Sequence, residues 1–361
     1  MKKIVFLSQS LYNYFDTGKK KEFGGVSRIF RLVTKLSEYN DYFVSCYVGD
    51  FGQPAVERKQ GVLLIKSKIG QKRYAHTIFK NLVKEKPDLI VEFYASAQVF
   101  LLGLLKKIYG QKFVFFVGSD KDVNGSYAQN TNYLFYKLYT WGLKSADRVI
   151  CQTRDQARML KKVYGIKGVT ILSPYIAITT PLNYPRKYIL WVGRSAFYKR
   201  PELFIKLARL MPEEKFFMIC NPSIHDKGIH KHILATGQVL PNITIKESVP
   251  FDEIQKYYAQ AKFLINTSDL EGFPNTFIEA AIEKTPVVSL NVDPNEMLTR
   301  HACGIYCRQQ FSKLVNKSKE LVKNEKMRNS LGLKAAIYAA ENHDLSKAIP
   351  EIKNVFDEIL V

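Results

Sequence analysis

Acidic residues are scarce in this chain. Against 54 Lys and Arg stand 33 Asp and Glu, a net charge of +21 at pH 7 with histidine neutral. Cysteine is scarcer still, and the five present (Cys46, Cys151, Cys220, Cys303, Cys307) are odd in number and scattered. That excludes a disulfide framework and leaves reduced, mostly buried thiols. Cys303 and Cys307 flank only Gly-Ile-Tyr, with no second Cys or His pair nearby, so a four-ligand zinc centre is not expected. Long apolar runs are also missing. The longest nearly uncharged stretch, around Phe93 to Leu105, is interrupted by Ser96 and Gln98 and falls short of a membrane span. The IVFLSQS run behind Met1-Lys2-Lys3 is too short for a signal-peptide core. The expectation is a cytoplasmic protein without a transmembrane helix, peripheral at most on the inner face of the membrane. No G-x-G-x-x-G follows the first strand and no G-x-x-x-x-G-K-[ST] occurs, which argues against a nicotinamide dehydrogenase and a P-loop nucleotidase.

The surplus of cations is uneven. Up to Tyr175 there are 29 Lys and Arg against 13 Asp and Glu; from Ile176 onward, 25 against 20. A basic first half points to an anionic partner, whether a phospholipid surface, a nucleic acid or a phosphorylated substrate, unless the lysines simply form solvated faces. Lysines beside rings in YLFYKLYTWGLK (Tyr133 to Lys144) suit a membrane interface. Most of those rings are nevertheless expected on the buried face of a helix.

Short β-branched runs alternate with longer amphipathic ones. KIVFLS, YFVSCYV, VLLIKS, DLIVEFY, KFVFFV, DRVICQ and VTILS read as strands, with helices such as 26–37, 74–85 and 131–144 between them. After a proline-spaced stretch the alternation restarts at YILWVGR and runs to PVVSLNV, followed by a helical tail from Gln310. This pattern predicts an α/β chain of two Rossmann-like, doubly wound domains facing a cleft. The expected bounds are 1–174 for the first domain, 175–186 for a linker and 187–345 for the second domain. A last helix, 346–361, is expected to pack back toward the first domain.

The densest chemistry lies in DLEGFPNTFIEAAIE, Asp269 to Glu283. Gly272 permits a tight turn, Pro274 suits a first helical turn, and Phe277, Ile278, Ala281 and Ile282 follow helical spacing. A helix N-terminus beginning at Asn275 is an anion site. Glu271 in the loop and Glu279 on the helix are suited to accepting hydrogen bonds from sugar hydroxyls. The bland alternative makes Glu271 an electrostatic cap and Glu279 a surface charge. Upstream, Gly193-Arg194 ends a strand and Lys199 begins the next helix; two cations there can neutralise a diphosphate, or can be merely solvated.

EGFPNTFIEAAIEKTPVV, the upstream VGR and Lys199, and FGGVSR (Phe23 to Arg28) together resemble the retaining family-four glycosyltransferases of the GT-B fold. The resemblance is strong over Tyr188 to Val292 and weak in the first half. It implies an acceptor-binding domain over 1–174 and a nucleotide-sugar-binding domain over 187–345, with a UDP- or GDP-linked sugar donor, no further cofactor and no metal. Arg194 and Lys199 would stabilise the departing diphosphate, and Glu271 would touch the donor sugar. Gly272, Phe273, Pro274 and Asn275 would meet sugar and phosphate, and Glu279 the ribose. Gly24 and Gly25 would allow close backbone approach, and Val249, within Ser248 to Phe251, would lie near the nucleobase. One departure stands out. In FFVGSDKDV, Val117 occupies the place of a histidine common in that family; Asp120 or Asp122 would assume part of its role, with Asp120 the catalytic candidate and helix capping the alternative for at least one of them.

The expected activity is therefore retaining, metal-independent sugar transfer to an acceptor hydroxyl of a glycan or lipid-linked acceptor, as in bacterial cell-surface polysaccharide or lipopolysaccharide synthesis. The basic first half would meet an anionic membrane. Rival readings are a sugar-nucleotide epimerase or phosphorylase on the same fold, a two-carboxylate glycoside hydrolase, and a non-catalytic glycan- or nucleic-acid-binding protein. The absence of a known nucleic-acid motif weighs against the last.

Overall fold

Alternate side chains of the first strand enter two different cores: Ile4 and Phe6 join one cluster, Val5 and Leu7 the other. That is the signature of a sheet covered on both faces. The computed structural model describes every residue other than 17–24, 50–51, 53–54, 68–70, 94, 130, 174, 224–225 and 251–252, and at 71–76 and 227 the backbone alone. The chain forms two compact units, Met1–Tyr175 with Leu345–Val361, and Ile176–Asp344.

The first unit is built on β1 (Lys2–Leu7), β2 (Tyr42–Val48), β3 (Val56–Lys59), β4 (Val62–Lys66), β5 (Leu89–Phe93), β6 (Lys112–Phe116), β7 (Arg148–Cys151) and β8 (Val169–Thr170). Their order in the sheet is β3-β4-β2-β1-β5-β6-β7-β8. All neighbours run parallel except β3, which lies antiparallel on β4 as an edge strand. Helices Gly25–Leu36 and Leu345–Leu360 supply one core and helices Gln71–Glu85 and Ala97–Tyr109 the other. Leu345–Leu360 contributes Ile349, Ile352, Phe356 and Leu360 to the same cluster as β1 and β2. Punctuation follows the expected chemistry. Ser96 and Thr153 cap helices Ala97–Tyr109 and Arg154–Tyr164, and Gly110 and Gly165, both left-handed, close them.

The second unit carries β9 (Tyr188–Arg194), β10 (Phe216–Asn221), β11 (Ile243–Lys246), β12 (Ala261–Asn266), β13 (Val287–Ser289) and β14 (Gly304–Tyr306), in the order β11-β10-β9-β12-β13-β14 and all parallel. One core joins Trp191, Met218 and Phe263 from this sheet to Phe204, Leu207 and Leu314 from its helices. The expected α/β class with two parallel-rich sheets is the fold observed, and the expected helical tail is three helices, Phe311–Lys323, Glu325–Asn342 and Leu345–Leu360. Two strands go beyond the sequence reading. β3 is polar (VERK), and β14 is three residues long, too short to register as a periodic run. All five cysteines are buried. Among the described residues, no helix is long and apolar enough to cross a membrane.

Candidate functional site

In an open parallel sheet, ligands settle outside the carboxyl ends of the strands where the winding direction reverses. In the second unit this switch point lies between β9 and β12: β10 and β11 extend the sheet from β9, β13 and β14 from β12. The segments leaving these two strands, 194–200 and 267–274, hold most of the residues singled out in the sequence.

Buried hydrogen bonds tie the two segments together. The Trp191 indole N–H donates to Thr267 Oγ1 at 2.9 Å, and the Thr267 hydroxyl donates to the Lys199 carbonyl at 2.7 Å. The Asp269 N–H donates to the Tyr198 carbonyl at 2.8 Å. Held this way, the Lys199 ammonium meets Glu271 Oε1 in an ion pair, and Ser268 Oγ donates to the same oxygen at 2.7 Å. Both partners are mostly buried, with 18% and 12% of their side-chain surface exposed, so solvent screens this pair less than a surface one. Lys199 and Glu271 thus form one unit. Arg194 is exposed and donates to Tyr198 Oη at 3.4 Å, which puts the guanidinium beside the ring that Lys199 overlies. Next to them Arg200 is left-handed, φ 50°, and caps helix Pro201–Arg209, so Lys199 lies in the short 3-10 turn before that helix instead of beginning it. A non-glycine residue in the left-handed region costs of the order of 1 kcal/mol. The Arg200 guanidinium is fastened to Glu202 at 2.6 Å and Asp269 at 3.4 Å.

Helix Asn275–Ile282 begins where the sequence places it, and Pro274, at φ −66° and ψ 124°, is its N-cap. The preceding Phe273 is buried, its ring 4.5 Å from that of His343. Gly272 leads into this turn. Glu279 is no surface charge, since only 4% of the residue is exposed. The Tyr258 hydroxyl donates to Glu279 Oε2 at 2.9 Å, and burial, with the carboxylate beside it, keeps that phenol protonated far above its usual range. Tyr258 stands on helix Ile254–Ala259, which follows the buried Val249; Phe251 lies outside the described residues. Tyr258→Phe is expected to cost roughly 1–3 kcal/mol in thermal or denaturant unfolding, because the buried carboxylate loses its phenolic donor.

The candidates of the first unit are Gly24, Gly25 and Asp120, with Asp122 as the alternative to Asp120. Gly25 is the exposed first residue of helix Gly25–Leu36, and Gly24 lies outside the described residues. Val117, at the histidine position, is fully buried. Asp122 fills the capping role: its carboxylate accepts from the Gly118, Ser119 and Ala95 N–H groups in a capping box, and burial raises its pKa. Asp120 accepts from Gln156 Nε2 at 2.9 Å.

Sequence reasoning passed over Arg28, although FGGVSR contains it. Only 3% exposed, it donates from one terminal nitrogen to Ser173 Oγ at 3.1 Å, while its Nε and other terminal nitrogen are buried without a hydrogen-bond partner among the described residues. Its charge also acts on Asp122. A basic residue at helical spacing amid Ile29, Leu32 and Val33 was the available signal. Tyr258 and Ser268 were equally silent, since each matters only through its contact with a glutamate.

Residues 179–337 match the family model described as glycosyl transferases group 1, and residues 23–178 the model described as glycosyltransferase family 4. An uncharacterized glycosyltransferase of Methanocaldococcus jannaschii is 22% identical over 303 residues, 75% of this chain and 73% of that one. The poly(ribitol-phosphate) alpha-N-acetylglucosaminyltransferase of Staphylococcus aureus is 23% identical over 218 residues, 58% of this chain but 43% of its own length. Sucrose-phosphate synthase from Thermosynechococcus elongatus shares the fold, with a TM-score of 0.84 at 16% identity and 99% of both chains covered.

Proposed function

Because the chain belongs to the family-four, group 1 glycosyl transferases, we propose that it moves a sugar from a nucleotide-diphosphate donor to an acceptor hydroxyl with retention at the anomeric carbon. The observation that carries this reading is the Lys199–Glu271 pair at the carboxyl ends of β9 and β12, one turn of chain from the N-terminus of helix Asn275–Ile282.

As the glycosidic bond breaks, positive charge gathers at the anomeric carbon and negative charge on the departing diphosphate. The Lys199 ammonium, the nearby Arg194 guanidinium and the positive end of helix Asn275–Ile282 are the groups suited to that second charge. Glu271 orients the ammonium through Oε1 and offers carboxylate lone pairs to sugar hydroxyls. Glu279, set by Tyr258, is assigned to the ribose, and Val249 to the region of the nucleobase. Gly272, Phe273 and Pro274 form the turn against which sugar and phosphate would lie. From the family resemblance alone, Gly24 and Gly25 are assigned to the donor and Asp120 to the acceptor side.

The donor is a UDP- or GDP-sugar. The acceptor proposed is a cell-surface glycan or polymer precursor, carried on lipid or in solution. The Staphylococcus relative is named for a polyanionic polymer, and an acceptor of that kind would suit the lysine surplus of residues 1–175.

The test is a panel of nucleotide sugars read by thermal stabilisation and by product analysis with and without acceptor. A matched donor should raise the Tm, and transfer should require the acceptor. Sugar-nucleotide interconversion without any acceptor would instead establish an epimerase. With two cations and a helix terminus assigned to the leaving group, turnover is expected to survive excess chelator unchanged; an activity abolished by EDTA and restored by a divalent ion would overturn that assignment.

A further inference from the structure

Helix Tyr133–Ser145 breaks the usual rule for a crossover helix, whose solvent side should be polar. Its inner face is ordinary: Tyr139 and Leu143 pack with Phe115, Val117 and Val149 over β6 and β7. Its rotation is fixed by glycine. A Cβ on Gly142 would overlap the Val99 carbonyl oxygen and lie 2.8 Å from Phe100 Cα, and one on Gly103 would lie 2.7 Å from the Trp141 ring. The two helices Ala97–Tyr109 and Tyr133–Ser145 are therefore locked backbone to backbone.

That lock turns large apolar groups outward. Tyr133 is 70% exposed, Leu134 62%, Phe135 49% and Trp141 37%. The expectation that most rings of this segment are buried is thus corrected: of its five rings only Tyr139 is fully buried and Tyr136 half-buried. Exposed lysines, Lys137 and Lys144, lie among the outward groups, and Lys137 Nζ sits 5.2 Å over the Tyr133 ring. Neither helix of the pair contains an Asp or Glu.

We propose that the outer face of helix Tyr133–Ser145 seats on an anionic lipid bilayer, with Tyr133, Leu134 and Trp141 at headgroup depth and Lys137 and Lys144 against lipid phosphates. The chemistry selects this occupant. A nucleic acid would match the lysines and stack on the rings, but two lysines on this helix are too few to track a phosphate backbone, and Leu134 would gain nothing from it. A second copy apposing the same face would bring lysine to lysine with no carboxylate on either helix to offset it. A bilayer interface offers apolar depth and negative charge together, and aromatic rings with snorkelling lysines are the side chains that use both. This inference concerns binding and is read without donor turnover, so it stands or falls separately from the transfer reaction.

Co-sedimentation of the full chain with phosphatidylcholine vesicles, alone or with about a third phosphatidylglycerol, gives the test. Binding is expected to the anionic vesicles, weakening as salt rises, with a blue shift in emission from Trp141; Trp191, the other tryptophan, is already buried. Lys137→Glu with Lys144→Glu should weaken binding about thirtyfold or more, and Leu134→Ser with Trp141→Ser should weaken it at least as much, both with unchanged circular dichroism. These positions are exposed, so the fold should tolerate the changes. Three outcomes would overturn the proposal: wild-type protein left in the supernatant with anionic vesicles at low salt, variants that bind like wild type, or light scattering that shows a dimer lost in Leu134→Ser with Trp141→Ser.

Discussion

Lys199→Ala is expected to lower turnover at saturating donor by roughly two to three orders of magnitude, the loss of about 3–4 kcal/mol that follows removal of one preorganised donor to a developing anion. The ammonium cannot be replaced by a neighbour. Arg194 approaches Tyr198, and Arg200 is committed to Glu202 and Asp269. The substitution also leaves Glu271 with Ser268 as its remaining described donor, so stability must be followed in parallel. A fall in kcat with a near-constant Tm assigns the effect to the reaction. Glu271→Gln separates the roles further, because it keeps the shape and removes the charge that holds the ammonium. If Glu271 only positions Lys199, the double variant Lys199→Ala with Glu271→Gln should be no worse than Lys199→Ala alone. Wild-type turnover in Lys199→Ala would remove the pair from the mechanism.

The largest expected effect on stability is at Gly332. It lies inside helix Glu325–Asn342, pressed onto the turn that ends helix Asn275–Ile282. A Cβ there would overlap the Lys284 carbonyl oxygen and lie 2.8 Å from its carbon. Lys284 is itself left-handed, φ 53°, so its backbone has little freedom to withdraw. Gly332→Val is expected to cost about 3 kcal/mol or more, a fall in Tm of roughly 10 °C for a unit of this size, read by calorimetry. The strain falls on the helix that carries Glu279, so donor stabilisation should shrink as well. A Tm within a degree or two of wild type would mean that the two helices separate more easily than their contact indicates.

The alternation of β-branched runs and amphipathic stretches was enough to read most strands of both sheets, because strands buried on two faces form near-continuous apolar runs. It could not reveal β3, whose VERK is an edge strand exposed on alternate residues, or β14, whose pairing to β13 is set by its neighbours. The loop and helix of residues 269–283 were legible because glycine, proline and helical spacing act locally. What joins them to residues 194–200 was not. The Trp191–Thr267–Lys199 relay spans 76 residues, and no local pattern encodes a contact between two strand ends. The same limit hid Tyr258 behind Glu279 and made Glu279 readable as a surface charge. The outward rings of helix Tyr133–Ser145 were misplaced for a related reason. Composition gives a helix's amphipathic content, but Gly103 and Gly142 decide which side faces the neighbour.

Helix Leu345–Leu360 gives eight buried residues to the core laid down by β1, β2 and helix Gly25–Leu36, far earlier in the chain. During synthesis, then, the first unit cannot close when its own 175 residues have left the ribosome; it must wait, with that apolar groove uncovered, until the whole of Ile176–Asp344 has been made. Domains usually mature in the order in which they are translated. Here the order is inverted: the first unit is completed only after the second, and a chain cut after Asp344 would keep the whole second unit beside a first unit that lacks its last helix.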